Sequence, residues 1–377
     1  MSSFTNSLDL ELSLDTTKHI NYFKMCLNLL PHHYVGLDCS RLTAIYFSVT
    51  GLDILGALDE IDKSSIIDYI YALQINPNEK ESPGTPSYGG FIGGTYLGQS
   101  FTSKSSVTAT SHIQDTENMR DVLTDDIHRT ETKAEAVSEP CSNLSQYMEG
   151  HLAMNYTAIA SLLALGDDLS GVNKVTLLNS IRQLQLDDGS FRATSEGSEC
   201  DMRFLYCACA VCALLNDWSP INKESAVNYI LHCITYEGGL SLTPGSEAHG
   251  GSTYCGFASL VLMNRQDAMS ASQKEDLLRW CMHRQIGGFQ GRTNKDPDSC
   301  YSYWVGATIS LLDGLSDSDL ESTGLFLLGH CQYFNFKCNG GFSKMPGAAP
   351  DILHSFFSLC WLAMSGRCAD TRDIHPA

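Results

Sequence analysis

The sequence has no uncharged run of about 18 apolar residues, so no segment reads as a membrane-spanning helix. Its opening, MSSFTNSLDLELSLD, holds no basic stretch followed by an apolar one, and neither a signal peptide nor a transit peptide is expected. Basic residues are scarce. There are 24 Lys and Arg against 43 Asp and Glu, a net charge of −19. That balance argues against general nucleic-acid binding, which needs basic patches, but leaves room for a local basic pocket. No Walker loop, GxGxxG fingerprint, HExxH or GxSxG is present, which removes the commonest nucleotide, zinc-protease and serine-hydrolase signatures. Cysteine, by contrast, is plentiful: 15, an odd number, lie scattered through apolar segments such as Phe204 to Leu215. In a reducing compartment free cysteine packs like a small hydrophobe, so a cytosolic location is expected.

With 377 residues, 43% of them hydrophobic, the chain can bury a large core. A Gly-aromatic or Gly-Gly punctuation recurs at Gly89-Gly90-Phe91, Gly189-Ser190-Phe191, Gly238-Gly239-Leu240, Gly287-Gly288-Phe289 and Gly340-Gly341-Phe342. The last four stand about 50 residues apart, and the first gap is about twice that. Each unit opens with a small, mostly apolar segment: Leu152 to Leu165, Phe204 to Leu215, Gly256 to Met263, Tyr303 to Leu312, Ser355 to Met364. A polar turn and an amphipathic segment follow. Asp62, Asn173, Asn222 and Ser272 are expected N-caps, the last with Glu275 as capping-box partner. Val175, Leu178, Ile181 and Leu184 are expected to form a buried stripe. The Gly pair is expected to end the helix.

Each period is therefore a helix pair, one apolar nearly all round and one amphipathic. Two concentric layers follow, and the apolar first helices favour closure into an α/α barrel over an open solenoid, which would wet one of their faces. Between residues 102 and 148 the grammar stops. That stretch is acidic, rich in Ser and Thr and poor in large apolar residues, and is expected to be a disordered surface insertion.

Polar residues interrupt the start of the apolar helices at His151, Arg203, His249, Asp298 with Cys300, and His354. Their spacing matches the repeat, so in a closed barrel they share one rim. Asp298, Cys300 and His354 form a candidate metal set. A carboxylate, a thiolate and an imidazole suit Zn²⁺ and leave a fourth position open, as a catalytic zinc requires. Taken singly, Cys300 reads equally as core and His354 as a satisfied core histidine. Arg292, Lys295 and His249 form a second cluster able to hold a diphosphate or carboxylate, and read equally as a solvated loop. Cys207, Cys209 and Cys212 do not form a metal motif. On one helix the first two point about 200° apart and the outer two about 140° apart, so they are packing residues. Asp167-Asp168 and Asp187-Asp188 fall in turns.

The segments EAHGGSTYCG, GGFQGRTNKDPDSCYSYWVGA and GGFSKMPGAAPDILHSFF resemble the β subunits of protein prenyltransferases. The resemblance runs from about Ser40 to Met364, apart from the insertion. It implies an all-α fold, an α/α toroid of six helix pairs forming one domain over residues 1–377. It implies one Zn²⁺ on Asp298, Cys300 and His354, with Tyr301 and Lys344 completing the catalytic set, and His249, Arg292 and Lys295 on the diphosphate. Thr43, Tyr206 and Trp304 would line the isoprenoid channel. His151, Ala153, Arg203 and Phe204 would meet the C-terminal end of a peptide substrate. Thr43 stands where farnesyl enzymes carry a Trp that shortens the lipid tunnel. Lys344 stands where they carry an Asp that helps bind Mg²⁺, so Mg²⁺ should not be required. Ser252 and Leu353 replace two of their tyrosines.

These differences point to the type I geranylgeranyl branch. The expected reaction moves geranylgeranyl from its diphosphate to the cysteine thiol of a C-terminal CaaX motif, X preferably Leu, on proteins such as small GTPases. The expected partner is an α subunit. The alternatives are a farnesyltransferase β subunit and a non-catalytic helical-repeat scaffold. A terpenoid cyclase would share the toroid but needs a DxDD motif, which is absent.

Overall fold

The apolar and amphipathic segments fold as alternating helices. A computed structural model describes residues 12–28, 30, 32–75, 89–95, 149–195, 198–333 and 340–367. The helices are α1 (Thr16–Asn28), α2 (Arg41–Ile54), α3 (Lys63–Ala72), α4 (Leu152–Ala164), α5 (Lys174–Leu184), α6 (Met202–Leu214), α7 (Lys223–His232), α8 (Gly250–Leu262), α9 (Ala271–Met282), α10 (Ser299–Leu311), α11 (Leu320–Gly324) and α12 (Ile352–Met364). A π-helical turn, Leu325–Cys331, continues α11. Among the described residues, named strands occur only as two-residue antiparallel pairs, such as Gln285–Ile286 with Gly288–Phe289. The insertion expected at 102–148 lies outside the described residues.

The even-numbered helices form the inner layer. Each packs on the next, and α12 packs back on α2, so the ring closes. Enclosure on both sides explains why they are apolar nearly all round. Helix α6 buries Met202, Phe204, Leu205 and every residue from Cys207 to Cys212. The three cysteines there are core residues, and burial pushes each thiol up. The outer helices bury one stripe. In α5 it is Leu177, Ile181 and Leu184, joined by Ser180, while Val175 is 73% exposed. The expected stripe through Val175 and Leu178 was therefore misphased. Steps of three fall short of a full turn by about 60°, and only mixed steps of four and three stay on one face.

Asp62, Asn173 and Asn222 cap their helices as expected. Helix α9 instead starts two residues early, on Ser270, with Gln273 closing the capping box, so Ser272 and Glu275 lie inside the helix. The Gly pairs do not end helices either. Helix α7 stops at His232, well before Gly238. Gly238 has φ +99, and a Cβ there would stand 2.6 Å from the backbone oxygen of Asp276 in α9. Glycine is needed so that the next outer helix can press on the turn.

Gly340 repeats this geometry with φ +97, and its neighbour is the carbonyl of Lys18 in α1. The N-terminal helix thus serves as the outer helix that the last repeat would otherwise lack. His19 fastens it. Its ring stacks on Phe342 at 4.6 Å, Nδ1 accepts from the N–H of Gly341 at 3.2 Å, and Nε2 lies 2.9 Å from Gln332 Oε1. Gln332 also donates to the carbonyl of Ser13.

Only the neutral ring with its proton on Nε2 satisfies both contacts. His19 is 1% exposed, and burial lowers its pKa from 6.5 to about 4, against the opposing pull of Gln332. The unfolded chain takes up the proton first. The stabilising contribution is therefore complete above about pH 6.5 and drains as pH falls toward 4, a total of roughly 3 kcal/mol. His19→Gln should be less stable than the parent at pH 7 but lose less on acidification to pH 5. Urea midpoints at both pH values test this, and parallel losses would remove the clasp from the account.

Candidate functional site: one rim of the toroid

The first N–H groups of a helix have no partner inside it. Here five of the inner helices, α2, α4, α6, α8 and α10, satisfy one each in the same way. The N–H groups of Leu42, Leu152, Met202, Gly250 and Ser299 donate to the carbonyls of Gly93, Ala193, Leu242, Gly291 and Lys344 at 2.7–3.1 Å. Each acceptor lies two residues past the punctuation that follows. The N-terminal ends of the inner helices, with their partial positive charges, therefore occupy one rim together with the turns.

At α4, α6, α8, α10 and α12 the capping residue supplies a side chain to that rim, whereas Ser40 at α2 makes no side-chain cap bond. His151 Nδ1 accepts from Ala153 N, Asp201 from Arg203 N, His249 Nδ1 from Gly251 N, Asp298 from Cys300 N, and Asp351 from His354 N. Sequence reasoning found His151, His249 and Asp298 but missed Asp201 and Asp351. Both sit at the same repeat phase, which would have identified them.

Asp298, Cys300 and His354 offer ligand atoms that all lie within 4.8 Å of one another. His354 Nδ1 is 2.5 Å from Asp351 Oδ2, and this turns Nε2 toward Asp298 Oδ1 at 3.1 Å. Burial would lower the His354 pKa, but its bonds to Asp298 and Asp351 outweigh burial and hold it at about 9. Burial and the nearby Asp298 push the Cys300 thiol well up. This is a buried carboxylate and thiol and a half-buried imidazole converging on one point, a donor set that fits a divalent metal displacing two protons. Lys344, exposed, places Nζ 3.6 Å from Asp298 Oδ2.

Beside this cluster His249 Nε2 lies 2.9 Å from the Tyr301 hydroxyl. Because Nδ1 accepts the backbone bond, Nε2 carries the proton and donates to Tyr301, whose own O–H is left to donate elsewhere. Burial and Arg292 hold the His249 pKa down. Arg292 Nη1 pairs with Glu247 Oε2 at 2.8 Å, and Lys295 is exposed on the same turn. The structure brings together His249, Tyr301 and this basic turn.

His151, Phe204 and Arg203 also meet. The His151 ring stands edge-on to Phe204 at 5.8 Å, and the Arg203 guanidinium lies 5.3 Å from the Phe204 centroid. Ala153 follows on the first turn of α4. Below the rim, the inner helices carry a belt of aromatics. The Tyr46 hydroxyl meets that of Tyr156 at 2.8 Å, and the Tyr254 hydroxyl meets those of Tyr206 at 3.2 Å and Tyr303 at 3.1 Å. Trp304 packs on Tyr254 and Phe357. Thr43 lies three residues before Tyr46 on α2 and reaches Met154 Sδ at 3.6 Å. Tyr206 and Trp304 are thus bridged by Tyr254, which sequence reasoning missed, while Thr43 stands in the α2–α4 sector.

Residues 14–377 match the prenyltransferase α-α toroid domain. The chain belongs to that family. The type-1 geranylgeranyl transferase β subunit of Arabidopsis thaliana is 37% identical over 92% of this chain and 83% of its own length. That of Dictyostelium discoideum is 37% identical over 96% and 94%. The β subunit of Arabidopsis thaliana farnesyltransferase is 42% identical, but over 46% of this chain. A solved structure of Candida albicans protein geranylgeranyltransferase-I complexed with GGPP covers 97% of this chain at TM-score 0.73 and 23% identity, a likeness of fold.

The metal set depends on Asp351 as an orienting group for His354. Asp351→Asn keeps a good helix cap but weakens the hold on Nδ1. Metal affinity should fall about 10- to 100-fold, read by competition with a chelator. An unchanged affinity would show that the imidazole needs no such support.

Proposed function

We propose that the chain is the catalytic β subunit of a zinc-dependent protein geranylgeranyltransferase of type I. The observation that carries this reading is the convergence, on one rim, of a metal-ligand set and a basic cluster above a belt of aromatic side chains. Two relatives of that name, matching 92% and 96% of the chain, support it.

Zn²⁺ on Asp298, Cys300 and His354 would supply the charge that keeps a substrate thiol deprotonated near neutral pH. The thiolate sulfur attacks C1 of the lipid diphosphate, the C–O bond breaks, and the electron pair leaves with the diphosphate. Charge growing on that leaving group is met by the freed Tyr301 O–H, by Arg292 and by Lys295, with His249 polarising Tyr301. Lys344 adds a fixed positive charge beside Asp298, so the reaction proceeds without Mg²⁺. The lipid lies along Thr43, Tyr206 and Trp304, and the C-terminal end of a CaaX protein lies along His151, Ala153, Arg203 and Phe204. Transfer requires an α subunit as partner. Cysteines such as Cys209, Cys255 and Cys281, unpaired and buried, support a reducing, cytosolic setting.

Two measurements decide the reading. Purified protein should carry about one zinc per chain, and Cys300→Ala should lose both the zinc and transfer to a CaaX peptide. Retained transfer would sink the catalytic proposal. Thr43→Trp should shift lipid preference from the 20-carbon toward the 15-carbon diphosphate in competition assays. No shift would remove Thr43 as the residue that makes room for the longer chain.

A further inference from the structure

Two arginines on the rim are held by carboxylates in contacts of different build, and one of them, Arg203, has a second partner in Glu199, whose Oε2 lies 2.8 Å from its Nη2. Arg203 meets Asp201 through a fork, with Nε 3.1 and 3.2 Å from the two oxygens and Nη2 2.7 Å from Oδ2. Asp201 is buried and also caps α6, so that contact belongs to the scaffold. Arg292 is held by a single tooth, Nη1 to Glu247 Oε2 at 2.8 Å, and the two side chains are 43% and 48% exposed. Among the described residues Glu247 caps no helix and makes no other ion pair. It is also the carboxylate two positions before His249, on the same approach to the basic turn.

We propose that Glu247 is a resident competitor for the diphosphate. It holds Arg292 in the free site, yields it when a diphosphate enters, and takes it back as inorganic diphosphate departs. The inference rests on the anion site assigned above to His249, Arg292, Lys295 and Tyr301. A diphosphate wins the exchange because it brings several oxygens and more than one negative charge to the same guanidinium. Glu247 stays within a Debye length and repels the bound anion, so it weakens the hold on lipid diphosphate and on the released product alike. Uncontested, Arg292 and Lys295 would retain the product. The exposed single-tooth pair is weak enough to exchange, whereas the Arg203 fork on a buried carboxylate is not.

The test titrates inorganic pyrophosphate into the assembled enzyme by calorimetry. Glu247→Gln, which keeps size and removes charge, should tighten pyrophosphate about three- to tenfold. The gain should shrink to less than about twofold when Arg292→Gln is also present, because the two changes act through one contact. Glu247→Ala should tighten binding in the same direction, which separates charge from any contact peculiar to glutamine. Unchanged or weaker binding in both Glu247 variants would overturn the inference, since a carboxylate that merely buttresses Arg292 gives a loss. If the parent enzyme binds neither pyrophosphate nor lipid diphosphate, the anion site itself fails, and that result is distinct from a failure of Glu247 to compete.

Discussion

The constraint on which this structure rests is the orphan N–H at the start of each inner helix. A helix buried between an outer layer and a central bore cannot leave those groups to water. For α2, α4, α6, α8 and α10 the toroid meets the need by lending a carbonyl from the turn that follows, at Gly93, Ala193, Leu242, Gly291 and Lys344. That solution fixes the rise of each turn against its helix and gathers the chemistry-bearing loops at one end. Helix starts carry about half a positive charge each, so the rim is locally favourable to anions although the chain as a whole is at −19. Whole-chain charge was no guide to this rim.

Much of the fold was legible because the repeat is a physical period. Apolar inner segments, the polar caps Asp62, Asn173 and Asn222, and the phase shared by Asp298, Cys300 and His354 all follow from one-dimensional spacing. What was misread lies where spacing alone is ambiguous. Three-residue steps from Val175 looked like a stripe, but they wind round the helix. Ser272 looked like a cap, yet Ser270 with Gln273 offers the reciprocal pair. The glycines looked like helix stops, whereas Gly238 and Gly340 answer to a backbone in the next unit, which no local window contains.

The convergence of Asp298, Cys300 and His354 was legible, and what orients them was less so. Asp351 reads as an ordinary cap until His354 is placed three residues on with Nδ1 against it. Tyr254 reads as core, and its hydroxyl is seen to join Tyr206 and Tyr303 only when α6, α8 and α10 stand side by side. The role of α1 was the least accessible of all, because the contact between His19 and Gln332 spans the whole chain and closes the ring.

Cap and candidate site residue are often the same here, which ties helix stability to the geometry of the rim. Asp298 accepts the N–H of Cys300 and also faces His354. His249 accepts the N–H of Gly251 through one ring nitrogen and serves Tyr301 through the other. The capping bond does more than end the helix. By occupying Nδ1 it decides the tautomer of His249, and so decides that Tyr301 accepts a hydrogen bond from the ring and keeps its own O–H free to donate. A histidine elsewhere on the rim could adopt either tautomer. One at the N-cap of a buried helix cannot, because a protonated Nδ1 would orphan a backbone donor inside the protein. The fold's need to satisfy its helix ends thus sets the proton inventory of the site, and the same repeat that builds the ring prepares its chemistry.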